Sequence, residues 1–174
     1  MVPSSTPRAS RAIPRRESRG GTGLGTLDAM NDELTDNTVK ELADRYVAMW
    51  NEPDPDRRRA LVREVWSVDA HQVVVNPPEP IRDAARNHGI VPPALEVHGY
   101  DAMDERVTRA FEMFVEPGEY VFELDGAAAA QAGGAVTLTW VMRTRADGAV
   151  AGSGFDVFTL DADHRIRTDH QFVA

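Results

Sequence analysis

The chain has 174 residues, no cysteine and a formal net charge of −9. That length makes one domain with a sizeable core the default, and the missing thiols exclude cysteine nucleophiles, redox pairs, cysteine-ligated zinc and iron–sulfur clusters. The acidic balance argues against nucleic acid as a partner, and no apolar run approaches the roughly 18 residues of a membrane span.

Residues 1–29 differ from the rest. They hold five arginines against two acids and are rich in Ser, Pro and Gly. Such a segment buries too little apolar surface to offset its ordering entropy, so 1–34 is expected to be a disordered tail and 35–174 the folded domain. The tail lacks the apolar stretch of a secretory signal, and Met30 is the expected start of the native protein. Without those 29 residues, 14 basic and 26 acidic residues remain, a charge of −12. The expected location is the cytoplasm.

In chain order, Val39, Leu42, Ala43, Tyr46, Val47 and Trp50 recur at helical spacing and predict a helix over 35–50, with Thr35, Asp36 or Asn37 as its cap. Asn51 and Pro53 stop it. Asp54 and Pro55 restart a helix as cap and first-turn proline, with Leu61, Val62, Val65 and Trp66 as its buried stripe. The β-branched run 70–76 predicts a short strand ended by Pro77 and Pro78. Residues 77–99 hold five prolines and read mostly as loop, with one helical turn around 81–86. Met103, Val107, Ala110, Phe111 and Phe114 mark a third helix over 101–115. Four strand-like runs follow, at 119–124, 135–144, 150–160 and 165–173, and the short later links imply antiparallel hairpins. Helices first and an antiparallel sheet last is an α+β order. It predicts about three helices packed on a strongly curved, mainly antiparallel sheet enclosing a pocket.

Polar residues on buried faces are the informative candidates for chemistry. Tyr46 lies on the apolar stripe of the first helix, either as a core tyrosine or as a pocket donor. Asp156 sits in GFDVFTL at 154–160, where alternation puts Gly154, Asp156 and Phe158 on one face. If that face is inward, desolvation raises the carboxyl pKa; if outward, the aspartate is only a solvated charge. In the last strand Asp169 and Gln171 share one face and His170 takes the other. Asn76 ends the first strand, either to hold a substrate oxygen or to form a turn. Trp50, Trp140, Phe111 and Phe158 are expected as apolar walls. His71, His88 and His98 are spread through loops without ligand spacing, so no metal site is expected, and no nucleophile motif such as G-x-S-x-G occurs. The GTGLG segment at 21–25 follows no strand and is not a phosphate loop.

YVAMWN at 46–51 with PDP at 53–55, EVWSVDA at 64–70, Asn76–Pro77, GFDVFTLDADHRI at 154–166 and DHQF at 169–172 together resemble the nuclear transport factor 2-like superfamily. That group includes SnoaL-like polyketide cyclases, ketosteroid isomerase and limonene epoxide hydrolase. The resemblance covers roughly 35–174 and implies a conical α+β fold with a pocket between bent sheet and helices, often as a homodimer. It aligns the isomerase's oxyanion-hole tyrosine with Tyr46 and its protonated aspartate with Asp156. The isomerase's base aspartate falls at Asn76, and an amide cannot abstract a proton. The epoxide hydrolases' Arg-x-Asp pair is missing at 138–140, and their second aspartate is replaced by Gln171.

What the resemblance implies is SnoaL-like, cofactor-free acid/base chemistry on a carbonyl compound that supplies its own enol. Asp156 is then general acid/base and Tyr46 its partner donor. Asp169 or His170 is a reserve base, and Asn76 and Gln171 orient the substrate. The implied partners are a small apolar or polyketide-like ligand and a second copy of the chain. The alternative is a non-catalytic ligand-binding or dimerisation module of the same fold, for which Tyr46 and Asp156 would lie beyond hydrogen-bonding reach or point away from any cavity.

Overall fold

The computed structural model describes residues 34–77, 79, 82–83 and 94–174. The expectations of a disordered tail over 1–33, of Met30 as the start and of a role for His88 therefore lie outside the described residues. Leu34, expected in the tail, packs against the core.

Helix α1 (Asp36–Asn51) is capped by Thr35, whose hydroxyl accepts from the Thr38 N–H at 3.2 Å. Its stripe of Val39, Leu42, Ala43, Tyr46, Met49 and Trp50 is buried. Asn51 does more than end the helix. Its Nδ2 donates to the Phe122 carbonyl at 2.8 Å and its Oδ1 accepts from the Phe122 N–H at 2.9 Å. One amide thus satisfies both backbone groups of a strand residue and ties that strand to α1. Helix α2 (Pro55–Val65) starts with Asp54 accepting from the Arg57 N–H at 2.8 Å. Trp66 does not belong to this helix: it begins strand β1 (Trp66–Val75), longer than the expected run, and is fully buried there.

Residues 94–98 correct the reading of 77–99 as loop. They form strand β2 (Ala94–His98), antiparallel to β1 with His71 opposite His98. Prolines dominate the preceding stretch and masked the short ALEVH strand. Of the expected turn over 81–86, Arg82 and Asp83 are helical, as is Glu79 before it. Helix α3 (Gly99–Ala110) buries Met103, Val107 and Ala110 and passes into a π-helical turn (Phe111–Val115), closed by Glu116 N–H to the Phe111 carbonyl at 2.9 Å.

Strands β3 (Tyr120–Leu124), β4 (Ala129–Ala130), β5 (Ala135–Thr144), β6 (Val150–Leu160) and β7 (Ile166–Val173) complete a sheet of order β2-β1-β7-β6-β5-β3, with β4 on β5. Among the described strands only the β1–β7 pairing is parallel. The β6–β7 turn holds His164 at φ 59°, and Asp161 Oδ1 accepts from the Asp163 and Arg165 N–H groups. The result is the expected α+β class, three helices on a mostly antiparallel curved sheet. The core between them is built on Trp66, Tyr46, Phe158 and Leu138, all essentially inaccessible. None of the described helices is long and apolar enough to cross a membrane.

Candidate functional site

Strand alternation sends four polar side chains into this core from neighbouring strands: Gln72 on β1, Asp169 and Gln171 on β7, Asp156 on β6. The β6–β7 register sets Asp156 opposite Gln171 and Phe158 opposite Asp169. Tyr46 descends from α1 onto this row, its ring 5.1 Å from that of Phe158. Its hydroxyl donates to Asp156 Oδ2 at 2.8 Å. Gln171 Nε2 donates to the Tyr46 oxygen at 3.3 Å and approaches Asp156 Oδ2 at 3.5 Å. Trp140 Nε1 donates to Asp156 Oδ1 at 3.3 Å.

Trp140 reaches that oxygen because Gly154, its ladder partner on β6, has no side chain. A Cβ there would lie 2.3 Å from the indole, so glycine is required for close approach rather than for backbone conformation.

Sequence reasoning missed Arg106. It sits on α3 three residues after Met103 and four before Ala110, which is the buried stripe, and that spacing was the available signal. Its Nη2 donates to Gln171 Oε1 at 3.2 Å, its guanidinium lies 5.2 Å from the Trp50 ring centre, and its Nε is buried without a partner. Gln72 was missed as well, though it falls between Ala70 and Val74 on the buried side of β1. Its Nε2 donates to Asp169 Oδ2 at 2.8 Å.

Burial dominates the electrostatics. Loss of hydration pushes the Asp156 carboxyl up to about 6, against the hydrogen bonds from Tyr46, Trp140 and Gln171, which favour the charged form. Asp169 is pushed well above the carboxylate range by burial and then by the charge of Asp156. The two titrate as a pair. Burial and then Asp156 raise the Tyr46 phenol well above its ordinary value, and burial lowers Arg106.

A cavity of about 260 Å³ opens beside this cluster, walled mainly by apolar side chains. Tyr46, Trp50, Trp140 and Gln171 line it, together with Arg106 and Ser153. Met113 and Phe114 of the π-helical turn also face it. Asp156 lies directly behind Tyr46, Trp140 and Gln171 and is wholly inaccessible, as is Asp169 behind it.

The other expected residues are elsewhere. Phe158 packs under Tyr46 rather than on the cavity. Phe111 is turned aside by the π-helical winding, under the Arg58 guanidinium, and lines a separate, more open groove with Asn51 and Arg145. His170 is exposed on the opposite face of β7, because side chains alternate along a strand. Asn76 is exposed just after β1 with φ 51°, a left-handed turn that carries it out of the sheet, and it does not line the cavity.

The expectation that His71 and His98 lie apart in loops is also corrected. β1–β2 pairing stacks their rings 4.1 Å apart beside Glu96.

Comparison with solved structures finds this arrangement of helices and sheet repeatedly. The chain is similar to an isomerase candidate of the SnoaL-like family from Agrobacterium tumefaciens (25% identity over 77% of this chain and 95% of that one, TM-score 0.59). It is also similar to a SnoaL-like protein of unknown function from Burkholderia thailandensis (17%, 81% and 98%, 0.56). A third is a nuclear transport factor 2-like protein of unknown function from Exiguobacterium (19%, 76% and 98%, 0.53). No protein-family model and no curated protein matches the sequence.

Proposed function

We propose that this chain, whose fold is that of the nuclear transport factor 2-like superfamily, is a SnoaL-like enzyme of cofactor-free acid/base chemistry on a small apolar carbonyl compound. The observation that carries the reading is the Tyr46–Asp156 hydrogen bond of 2.8 Å at the wall of an apolar cavity.

An ionised Asp156 takes the single phenol proton, leaving Tyr46 nothing to donate to a ligand. A protonated Asp156 reverses that bond and donates to the Tyr46 oxygen, which frees the phenol proton for the cavity. The dyad therefore moves one proton. The Tyr46 O–H bond breaks as the proton passes to a substrate carbonyl oxygen, the acidic C–H of the substrate gives its proton to water, the Asp156 proton passes to Tyr46, and the carboxylate is left; a proton taken back from water restores Asp156. With Asp156 near 6, both states are accessible around neutral pH, as a shuttle needs. Arg106 and Gln171 supply further donors where charge develops on the oxygen. Among the described cavity-lining residues none has a carboxylate side chain, so the suited substrate is a 1,3-dicarbonyl compound, which enolises readily and needs its proton managed at oxygen.

The test is keto–enol interconversion of a bicyclic aromatic 1,3-dicarbonyl, followed by ultraviolet absorbance. Acceleration by the protein, lost in Asp156→Asn and reduced in Tyr46→Phe, supports the reading. Binding without acceleration overturns it in favour of a non-catalytic ligand-binding module, a reading favoured by the complete burial of both carboxyls.

The exposed Phe155 and Phe172, paired across β6 and β7 with rings 6.5 Å apart, support a second copy of the chain as partner on the sheet's outer face. Sedimentation of the wild type against Phe155→Ser checks it.

A further inference from the structure

We propose that His71, Glu96 and His98 form a binding site for a borderline divalent transition-metal ion, zinc in the first instance, at the β2 edge of the sheet, outside the cavity lining. The three residues come from adjacent strands and project on one face. His71 stands opposite His98 in the antiparallel ladder, and Glu96 precedes His98 by two residues. The donor atoms cluster: Glu96 Oε2 is 3.5 Å from His71 Nε2 and 3.3 Å from His98 Nε2, with which it shares a hydrogen bond, and one ligand atom from each residue lies within 4.8 Å of the others.

Those separations suit a metal. Ligands about 2.0–2.1 Å from a tetrahedral zinc stand roughly 3.3–3.4 Å from each other, so the two measured edges already fit, and the stacked rings need to tilt so that both lone pairs meet one ion. Two imidazoles and one carboxylate are also the donor set of zinc and its neighbours rather than of magnesium or calcium, which take oxygen ligands. A second observation points the same way. His71 Nε2 is buried and has no hydrogen-bond partner, although it is aimed at Glu96. A polar atom shut off from water normally finds one. His98 precedes α3, yet its side chain makes no capping bond, so its ring is uncommitted to the helix. Three protein ligands leave a fourth position for water. An ion held this way would clip β2 onto β1, on either side of residues 76–93.

The experiment is zinc titration of the untagged full-length chain by calorimetry, with cobalt(II) absorption as a report on geometry. One zinc per chain and an intense visible cobalt spectrum of tetrahedral type are expected. His71→Gln and His98→Gln should each weaken binding by about 100-fold or more, since loss of supporting partners alone costs 10–100-fold. His170→Ala, an exposed histidine outside the cluster, should leave binding unchanged, and zinc should raise the Tm of the wild type but not of the two Gln variants. Stoichiometric binding that survives the His71→Gln/His98→Gln double variant overturns the site. So does a weak octahedral cobalt spectrum, which reports a hydrated ion on a single imidazole.

Discussion

Two aspartates lie buried on adjacent strands of this sheet, and the fold treats them differently. Asp156 lies against the cavity wall and draws donors from a tyrosine, a tryptophan and a glutamine. Asp169 is equally inaccessible and has, among the described residues, one donor, Gln72, and a second oxygen with none. Both lose their hydration, but the three donors hold Asp156 near 6 while Asp169 rises much further. Burial raises both; the three donors on Asp156, and the charge that Asp156 places beside Asp169, decide which of the two gives up its proton first. The shuttle role belongs to the better-supplied one.

The largest expected effect comes from removing what separates the two environments. Phe158 sits two residues from Asp156 and directly opposite Asp169, and it is wholly buried against Tyr46. Phe158→Ala should destabilise the protein by about 3–5 kcal/mol, read as a drop in Tm. The polar lining of the new space should admit water, so carboxyl resonances in an NMR titration should show Asp169 moving toward the ordinary range. If Asp169 stays where it was, its burial does not depend on this ring.

The pH dependence of stability is the next test. Both folded-state pKa values lie above the unfolded value of 3.8. The folded protein therefore binds more protons than the unfolded chain above about pH 4. The associated stability is fully present below that pH and is lost as pH rises through the folded values. For Asp156 the loss falls between about pH 4 and 6, at no more than about 1.4 kcal/mol per pH unit for one group; for Asp169 it continues higher. Urea unfolding across pH 4–8 should show this decline, and Asp156→Asn should flatten its lower part.

Much of this cluster was legible in the sequence. Tyr46 on the α1 stripe and Asp156 and Asp169 as strand residues needed only the two periodicities; the same rule set His170 opposite Asp169 and Gln171 but left open which of them faces inward. Arg106 was missed because a cation on a buried stripe reads as an exception unless its pairing partner, Gln171, is in view. Phe111 was misassigned because helical spacing carries straight through 111–115, whereas the chain there widens into a π-helical turn. The His71–Glu96–His98 convergence depends on strand β2, and a five-residue strand after a proline-rich stretch gives too short a period to recognise. Local patterns reveal which way a side chain points, but not which distant residue it meets.

A pair of isosteric replacements sharpens the comparison at pH 7. Burial and the charge of Asp156 favour the protonated form of Asp169, which an amide resembles, so Asp169→Asn should cost about 1 kcal/mol or less. Asp156→Asn turns an acceptor-only group into one that presents an NH2 to donors already aimed at it. Either the Gln171 amide or the Trp140 indole then faces another donor, while the Tyr46 hydroxyl can turn to accept, and the expected cost is about 1–3 kcal/mol. Equal costs for the two variants in chemical denaturation would mean that the aspartates carry the same charge at that pH.

The smallest and most selective change is Tyr46→Phe. It removes one oxygen and leaves the ring packed against Phe158 and Trp66, so the stability cost should be about 1 kcal/mol. Its main effect is on protons. The phenol is the strongest donor to Asp156 and favours the ionised carboxyl, so its loss should move Asp156 upward from about 6. Gln171 and Trp140 remain as its donors among the described residues. Asp169 takes its hydrogen bond from Gln72 instead and should move much less. Carboxyl NMR titration of wild type and variant reads both at once. A rise confined to Asp156 assigns the difference between the two acids to their donors. A parallel rise of both would mean that the phenol acts through the shared electrostatics of the cavity wall, and that the Tyr46–Asp156 bond is no more than packing.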